Sequence, residues 1–178
     1  ETLIISSGTA NQKDLDDAIG ACNKKYAKNI ILLHCVSSYP TPFNQANLST
    51  ILSLRKKYKL AIGYSDHVLG YNASLAAVTL GSSVIEKHFT LNTSRKDFDH
   101  KISLNPKEFG KMVNDIKIYK SMYGEKESWV SEIEKKNKTW MRRIIVSRSD
   151  FSIGHKIKAN DIMYMRPASG TVGLSPIE

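Results

Sequence analysis

The sequence predicts an α/β fold built on a parallel sheet, and three observations support this class. Short apolar runs of strand length alternate with segments in which apolar residues recur every three or four positions, as in amphipathic helices. Successive runs begin 27, 31 and 23 residues apart, which is close to one strand–helix unit each. The lengths of the runs are those of buried parallel strands rather than of half-exposed antiparallel ones.

Four strands are predicted in order along the first half of the chain. They are LIIS at 3–6, IILLH at 30–34, AIGYS at 61–65 and VIEKH at 84–88. Helices are predicted at 11–26, 47–58 and 73–80. Strands that alternate with helices pair in parallel through right-handed crossovers, so these units form either part of an open doubly wound sheet or half of an eight-stranded barrel. A GxGxxG pattern does not follow the first run, which disfavours a dinucleotide-binding doubly wound sheet.

The rest of the chain changes character twice. A fourth helix is predicted at 106–123, where Asn105 and Pro106 give a helix-opening pair. Residues 124–141 are charged and poorly periodic, and we interpret them as a linker. At 142–178 two β-like runs, IIVS and IMYM, flank SIGHKI, whose Gly154 indicates a turn. The sequence therefore predicts a main domain at 1–123 and a small β-rich module at 142–178.

The formal net charge of +9 raises the possibility of nucleic-acid binding, but the distribution of charge argues against it. Residues 106–158 hold 13 of the 26 Lys and Arg together with 7 Asp and Glu, in alternation. That pattern is typical of a solvated helix face, and attraction of small phosphorylated substrates is a simpler use of the excess charge. No apolar run reaches the roughly 18 residues of a membrane span. Cys22 and Cys35 lack framework spacing, so free thiols in the cytoplasm are expected.

Polar residues follow all four predicted strands, at the end where parallel α/β sheets bind their ligands. The pairs and triplets are Ser6-Ser7-Gly8, His34-Cys35, Ser65-Asp66-His67 and Lys87-His88. His67 and His88 end adjacent strands, so a strand spacing of about 4.8 Å lets both imidazoles reach one point. Two histidines without a third protein ligand suit an exchangeable Mn²⁺ or Mg²⁺ better than a tight structural zinc ion.

Other polar residues in these segments have more than one interpretation. The serines at 6, 7 and 65 can form a phosphate cradle beside helix starts, or they can simply cap those helices. Glu86 shares the face of His88 and either orients an imidazole or pairs with a lysine from elsewhere. Asp66 has the opposite parity, which indicates a supporting or capping role.

Several longer motifs together resemble the sialic acid synthase family, which includes the bacterial N-acetylneuraminate and legionaminate synthases. They are LLHCVSSYPTPFNQANL, GYSDHVLG, AAVTLGSSVIEKHFTL and DFDHKISLNPKEF, in the family's order and spacing. RRIIVSRSDFSIGHKI and MYMRPASG are similar to the start of the family's antifreeze-like (SAF) domain. The resemblance implies the C-terminal half of a (β/α)8 TIM barrel, with strands five to eight, followed by the linker and a truncated SAF domain.

The resemblance also implies an activity. Members of the family condense phosphoenolpyruvate with an open-chain N-acylmannosamine-type sugar, giving a nine-carbon α-keto acid and phosphate. A divalent metal, Mn²⁺ or Mg²⁺, polarises the sugar aldehyde. The resemblance also implies a domain-exchanged homodimer, and the charge distribution and the lengths of the apolar runs lead us to expect no nucleic-acid or membrane partner.

Site residues carry over from the family motifs one position at a time. The metal ligands fall on His67 and His88, which with Asp99 form the implied catalytic set. The phosphate contacts fall on Ser6 and Ser65, and the sugar contacts on Tyr39 and Asp99. Arg166 matches an arginine that reaches the partner subunit's active site, and His34 is assigned only to the pocket wall.

Three segments depart from the family pattern. Ser37 stands where some members have an asparagine near the phosphate, TSRKDFDH replaces a GPDH-type ending, and PASG replaces PGTG or PGNG. The Asp-His pair that closes DFDH favours the neuraminate and legionaminate branch over the pseudaminate branch.

The chain does not begin with Met and ends at LSPIE, so we expect a piece of a longer protein. The family's catalytic glutamate and its phosphate-binding lysines come from the first four barrel strands, so we expect this piece alone to be inactive and poorly folded. Two alternatives remain open. One is another phosphoenolpyruvate-condensing synthase, such as a keto-octulosonate phosphate synthase. The other is a non-catalytic carbohydrate-binding protein with the same fold.

Overall fold

A four-stranded parallel sheet forms the first half of the chain in the computed structural model, which describes residues 2–26, 29–124, 129–168 and 173–176. The strands are β1 (Leu3–Ser6), β2 (Ile30–Cys35), β3 (Ala61–Asp66) and β4 (Val84–Lys87). Their order in the sheet is β1-β2-β3-β4, and every neighbouring pair is parallel. A doubly wound sheet reverses its order at a switch point, whereas barrel strands follow one another around the sheet. The sequential order therefore supports the predicted half-barrel.

Four helices accompany this sheet, at or within two residues of the predicted positions. They are α1 (Gln12–Tyr26), α2 (Ser49–Tyr58), α3 (Asn72–Thr79) and α4 (Pro106–Tyr123). Two of them begin with reciprocal capping. Asn105 accepts a hydrogen bond from the Glu108 amide at 3.0 Å, and Glu108 accepts one from the Asn105 amide at 3.0 Å. Asn11 and Asp14 form the same arrangement at the start of α1.

The hydrophobic core lies between one face of the sheet and the first three helices. Its buried members from the strands and helices are Leu15, Ile19, Leu32, Ile51, Leu54, Ile62, Tyr64, Ala73 and Ala77. Because side chains alternate along a strand, Leu32, Ile62 and Tyr64 project to the helix side, and the residues between them project to the other side. At the edge strand β1, Ile4 on that other side is 51% exposed. The outer face of the sheet is thus packed against helices, and the inner face is open at its β1 edge.

His34 lies on the helix-packed face, although its neighbours along β2 face the interior of the half-barrel. Its ring is stacked on Tyr64 with 5.7 Å between centroids, and its Nε2 lies 2.8 Å from the carbonyl oxygen of Ala46. Burial lowers the pKa of His34, and the bond to Ala46 opposes that shift only in part.

The lowered pKa of His34 leads to a prediction for stability against pH. The folded state favours the neutral imidazole, so the unfolded state binds more protons below its ordinary pKa of about 6.5. The stability that the folded protein gains by keeping His34 neutral is present in full above about pH 6.5. It is lost as the pH falls below that value, by at most about 1.4 kcal/mol per pH unit. Urea unfolding of the intact protein from pH 7.5 to 5.5 should show a steeper loss of stability than His34→Gln shows. An equal loss of unfolding free energy in the wild type and in His34→Gln would contradict this explanation.

The second compact unit is Lys126–Glu178, after a first unit at Glu1–Glu125. It contains helix α5 (Glu132–Met141) and an antiparallel pair, β5 (Ile144–Ser147) and β6 (Ile162–Met165). The predicted turn at Gly154 is present, with a φ of 90° that favours glycine.

The segment at 124–141, which we interpret as a linker, contains helix α5 in its described part. Ser131 and Glu134 form a capping box at the start of α5, with the Ser131 hydroxyl accepting from the Glu134 amide at 3.3 Å. The signature SEIE that encodes this cap is present in the sequence, but the charged composition concealed it. Among the described residues, no helix is both long and apolar enough to cross a membrane.

Candidate active site

Three aromatic rings meet at the carboxyl ends of β3 and β4. His67 directly follows β3 and His88 directly follows β4. Their ring centroids are 5.3 Å apart, in a T-shaped arrangement. The ring of Tyr39 lies 4.2 Å from the His67 centroid and 5.9 Å from the His88 centroid. The two histidines that the sequence pairs are therefore neighbours, and Tyr39 lies against both.

A backbone carbonyl fixes the orientation of His67. The Nδ1 atom lies 2.8 Å from the carbonyl oxygen of Val36, which can only accept a hydrogen bond. This contact assigns the ring proton to Nδ1 and leaves a lone pair on Nε2. The Nε2 atom lies 3.3 Å from the Ser65 hydroxyl oxygen. His67 is thus buried, oriented and able to offer Nε2 to a ligand.

His88 is neutral near pH 7 and lies beside a carboxylate. Its Nδ1 atom is 3.7 Å from Oδ2 of Asp99. Burial lowers the pKa of His88, while the negative charge of Asp99 raises it less strongly. The Asp99 carbonyl accepts from the Ser103 hydroxyl at 2.8 Å, which anchors the loop that presents the carboxylate.

The Ser65 hydroxyl is already engaged inside the protein. It donates to Oε1 of Glu86 at 2.6 Å, and the two residues are register partners on β3 and β4. Since a hydroxyl has one proton, a phosphate oxygen can receive this bond only by displacing Glu86. Glu86 therefore holds the serine beside His67, and among the described residues this hydroxyl, rather than a lysine, is its hydrogen-bond partner.

Ser6 and Ser7 differ in what they contact. Ser6 is exposed at the end of β1, on the same face of the sheet as Ser65 by the register through Leu33 and Gly63. Ser7 is buried and accepts from the Cys35 amide at 3.0 Å, which ties β1 to β2. Only Ser6 therefore has a hydroxyl available at the open face.

His34 and Asp66 lie away from the histidine pair. Both project to the helix side of the sheet, and His34 lines a cavity of about 550 Å³ between α1 and α2. Ser37 lines the same cavity, whereas His67, His88, Tyr39 and Asp99 do not. The assignment of His34 to a pocket wall thus applies to this outer cavity and not to the histidine cluster.

The donor set suits an exchangeable divalent ion. Within the described ranges, no group of three or more His, Cys, Asp and Glu side chains is placed to hold a metal. Two imidazoles leave coordination positions for water or substrate oxygens. The two histidines therefore fit an exchangeable catalytic ion better than a structural ion whose coordination is completed by protein ligands.

Arg166 lies in the second unit, immediately after β6, where its side chain is exposed. Its assignment to the site of a partner subunit stays a prediction.

Two contributors escaped the sequence-based reasoning. The Val36 carbonyl has no signature, because a backbone atom carries no residue identity. Lys87 is a buried ion-pair partner of Asp66, and parity could have revealed it. Asp66 directly precedes His67, and Lys87 directly precedes His88. Both side chains therefore project to the face opposite the imidazoles.

Comparisons with known proteins agree with the motifs. A model of the NeuB family matches residues 1–128. The N,N'-diacetyllegionaminic acid synthase of Campylobacter jejuni is 40% identical over 170 residues, covering 94% of this chain and 51% of that protein. The pseudaminic acid synthase of Helicobacter pylori is 34% identical over 174 residues, which cover 98% of this chain and 50% of that protein.

A solved structure extends the similarity to three dimensions. The N-acetylneuraminic acid (sialic acid) synthetase of Leptospira borgpetersenii, crystallised with citrate, superposes with a TM-score of 0.72 at 38% identity. The match covers 77% of this chain and 48% of that one. The chain thus spans about half the length of the relatives that it matches.

Proposed function

We propose, because the chain belongs to the NeuB family, that the intact protein is a sialic-acid-type synthase. It condenses phosphoenolpyruvate with an N-acylmannosamine-type sugar to give a nine-carbon α-keto acid and phosphate. The observation that carries this proposal is the cluster of His67, His88, Tyr39 and Asp99 at the carboxyl end of a parallel half-barrel sheet. This is the end at which barrel enzymes place their chemistry.

The bond changes of the reaction balance without a redox partner. C3 of phosphoenolpyruvate forms a bond to the aldehyde carbon of the sugar. Water adds at C2, and phosphate leaves with its bridging oxygen by cleavage of the C–O bond. Catalysis therefore depends on holding two substrates in line and on stabilising the charge that develops on the aldehyde oxygen.

His67 and His88 would hold a divalent ion, Mn²⁺ or Mg²⁺, which supplies Lewis-acid activation of the aldehyde when bound. The Val36 carbonyl keeps the Nε2 lone pair of His67 available. Burial keeps His88 neutral, so that it can act as a ligand at neutral pH. These two residues make the ion-binding part of the proposal.

The surrounding side chains position the sugar and the phosphate. The Asp99 carboxylate is 49% exposed beside His88, so it can accept hydrogen bonds from sugar hydroxyls. Tyr39 lies against both imidazoles, and its phenol is the second proposed sugar contact. Ser6 and Ser65 are the proposed phosphate contacts, with Ser65 released from Glu86 when phosphate binds.

The neuraminate and legionaminate branch is proposed from the loop motif, because identity alone does not separate the branches. The legionaminic acid synthases of Campylobacter jejuni and Legionella pneumophila are 40% and 34% identical to the chain, and the pseudaminic acid synthase of Helicobacter pylori is 34% identical. The Asp-His pair at 99–100 supports the same branch, and His100 braces the loop through a 2.7 Å contact with the Thr90 hydroxyl. The proposed sugar is therefore an N-acetylmannosamine or a 2,4-diacetamido analogue.

The proposal includes three further parts. The protein acts as a domain-exchanged homodimer in which Arg166 serves the partner's site. The reaction takes place in the cytoplasm, where the free thiols of Cys22 and Cys35 persist. The piece of chain described, without the other barrel strands, is inactive on its own.

The proposed reaction can be tested with the intact protein, phosphoenolpyruvate and a panel of sugars. Phosphate release is expected with N-acetylmannosamine or 2,4-diacetamido-2,4,6-trideoxymannose in the presence of Mn²⁺. It should be lost on chelation and restored by added Mn²⁺, and the nine-carbon product should be identified by mass spectrometry. A phosphorylated aldose serves as the comparison substrate. Turnover of that aldose alone would favour a keto-octulosonate-type synthase, and no metal-dependent release with any sugar would refute the proposal.

A further inference from the structure

A buried ion pair lies behind the two histidines, on the opposite face of the sheet. The Nζ atom of Lys87 is 3.5 Å from Oδ1 of Asp66, and neither side chain is exposed to solvent. Asp66 and Lys87 are also the last register partners of β3 and β4. His67 and His88 each lie one residue beyond this pair, where the backbone pairing of the two strands has ended.

Further hydrogen bonds extend the ion pair around His67. Oδ1 of Asp66 accepts from the Val68 amide at 2.9 Å, and Lys87 donates to the Val68 carbonyl. The residues on both sides of His67 are therefore attached to the residue that precedes His88. Oδ2 of Asp66 also accepts from the Ser74 hydroxyl at 2.6 Å, which joins the network to the first turns of α3.

Other contacts fix each histidine separately but do not join the two. The carbonyl of His67 accepts from the Thr41 amide at 2.9 Å, and the carbonyl of His88 accepts from the Leu104 amide at 2.9 Å. These bonds tie the residues to two different loops. The ladder of β3 and β4 joins the two strands up to Asp66 and Lys87. The side chains of this pair add an ion pair across the strand ends, and Lys87 also ties Val68, which lies beyond the ladder, to the residue before His88.

We propose that the Asp66–Lys87 pair is a positioning device that fixes the separation of the His67 and His88 imidazoles, and so sets the affinity of the protein for its divalent ion. The inference rests on the proposed function, because it takes the two histidines as the metal ligands. Stability alone is a weak reason for such a pair, since apolar residues of similar volume often hold a core equally well. Fixed geometry at a ligand pair is a use for which an apolar contact is a poor substitute, because it lacks direction.

The test uses the intact protein with the double substitution Asp66→Asn and Lys87→Met. These replacements keep the volumes and remove both charges together, so that neither is left buried alone. Mn²⁺ is titrated into metal-free protein without substrates, and free Mn²⁺ is followed by electron paramagnetic resonance at a temperature well below unfolding. The dissociation constant for Mn²⁺ is expected to rise by about 10- to 100-fold, the usual effect of losing a partner behind a metal ligand.

The matched control carries the same two replacements on α4. Lys111 and Asp115 form an ion pair at 3.2 Å on the helix surface, outside the histidine cluster. Lys111→Met with Asp115→Asn should bind Mn²⁺ with wild-type affinity. Ser74→Ala supplies a second test, because it removes only the hydroxyl that holds Asp66 and leaves both charges in place. It should weaken Mn²⁺ binding several-fold even if the double variant does not fold.

The outcomes separate this inference from the proposed function. Weaker Mn²⁺ binding by the folded Asp66 and Lys87 variant, or by Ser74→Ala, supports the positioning role. Wild-type affinity in every variant that folds refutes it while leaving the proposed function intact, even if the unfolding temperature of metal-free protein falls. If the wild-type protein itself binds no Mn²⁺, both the inference and the metal part of the proposed function fail.

Discussion

Replacement of either His67 or His88 by alanine is expected to reduce Mn²⁺-dependent phosphate release by about 10²- to 10³-fold. Each imidazole is one of the two proposed protein ligands, and their centroids are only 5.3 Å apart. Loss of one leaves a single donor, which holds a divalent ion weakly against water. Among the described residues, no group of three or more candidate ligands is placed to compensate for the loss.

The measurement is the rate of phosphate release by the intact protein as a function of Mn²⁺ concentration. His155→Ala is the matched control, because His155 also has a carboxylate partner, Asp161 at 2.9 Å, but lies in the second unit. This control should retain the rate and the metal dependence of the wild type. Normal metal-dependent activity in either the His67 or the His88 variant would show that the assignment of the ligands is wrong.

Gly63→Ala is expected to lower the free energy of unfolding by about 2–3 kcal/mol, a large effect for one added methyl group. A Cβ atom at Gly63 would lie 2.4 Å from Cδ2 of Leu33 and 2.6 Å from the carbonyl oxygen of Val84. The leucine side chain can rotate away, but the carbonyl belongs to the neighbouring strand and cannot move without disturbing the sheet. Glycine inside a strand often marks such a close approach.

Urea unfolding of the intact protein measures this effect. Gly110→Ala is the control, because Gly110 lies in helix α4 and a Cβ atom there would meet nothing within 4 Å. Alanine at that position should leave stability unchanged or raise it by about 0.5–1 kcal/mol. If Gly63→Ala and Gly110→Ala unfold at the same urea concentration as the wild type, the close packing at β3 does not limit stability.

The helices and strands of the first unit were predictable because the apolar pattern and the capping residues of each segment favour the same structure that the packed fold requires. Strand β3 is an apolar run between turn residues, and α4 begins with an Asn-Pro pair that caps it. Helix α5 was missed because its charged composition was interpreted as that of a linker, although its capping box is explicit. The choice between an open sheet and a half-barrel could not be made from periodicity, since both use the same strand–helix units.

The candidate site was predictable to the extent that it follows strand parity. His67 and His88 share a face with Ser65 and Glu86 because side chains alternate along each strand. The same rule places Asp66 and Lys87 on the opposite face, so the supporting or capping role of Asp66 stays a prediction. The contacts of Val36 and Lys87 were not anticipated, because their partners come from other segments of the chain.

The sequence by itself determined the strand–helix order, the polar strand ends and the pairing of His67 with His88. These follow from periodicity and residue chemistry, which are local properties. Only the tertiary structure decided that Ser65 donates to Glu86, that His34 faces the helices and that a buried ion pair links the two histidine-bearing strands. Such facts depend on which side chains meet across strands and loops, and a distance between residues remote in sequence is set by the packing of the whole sheet.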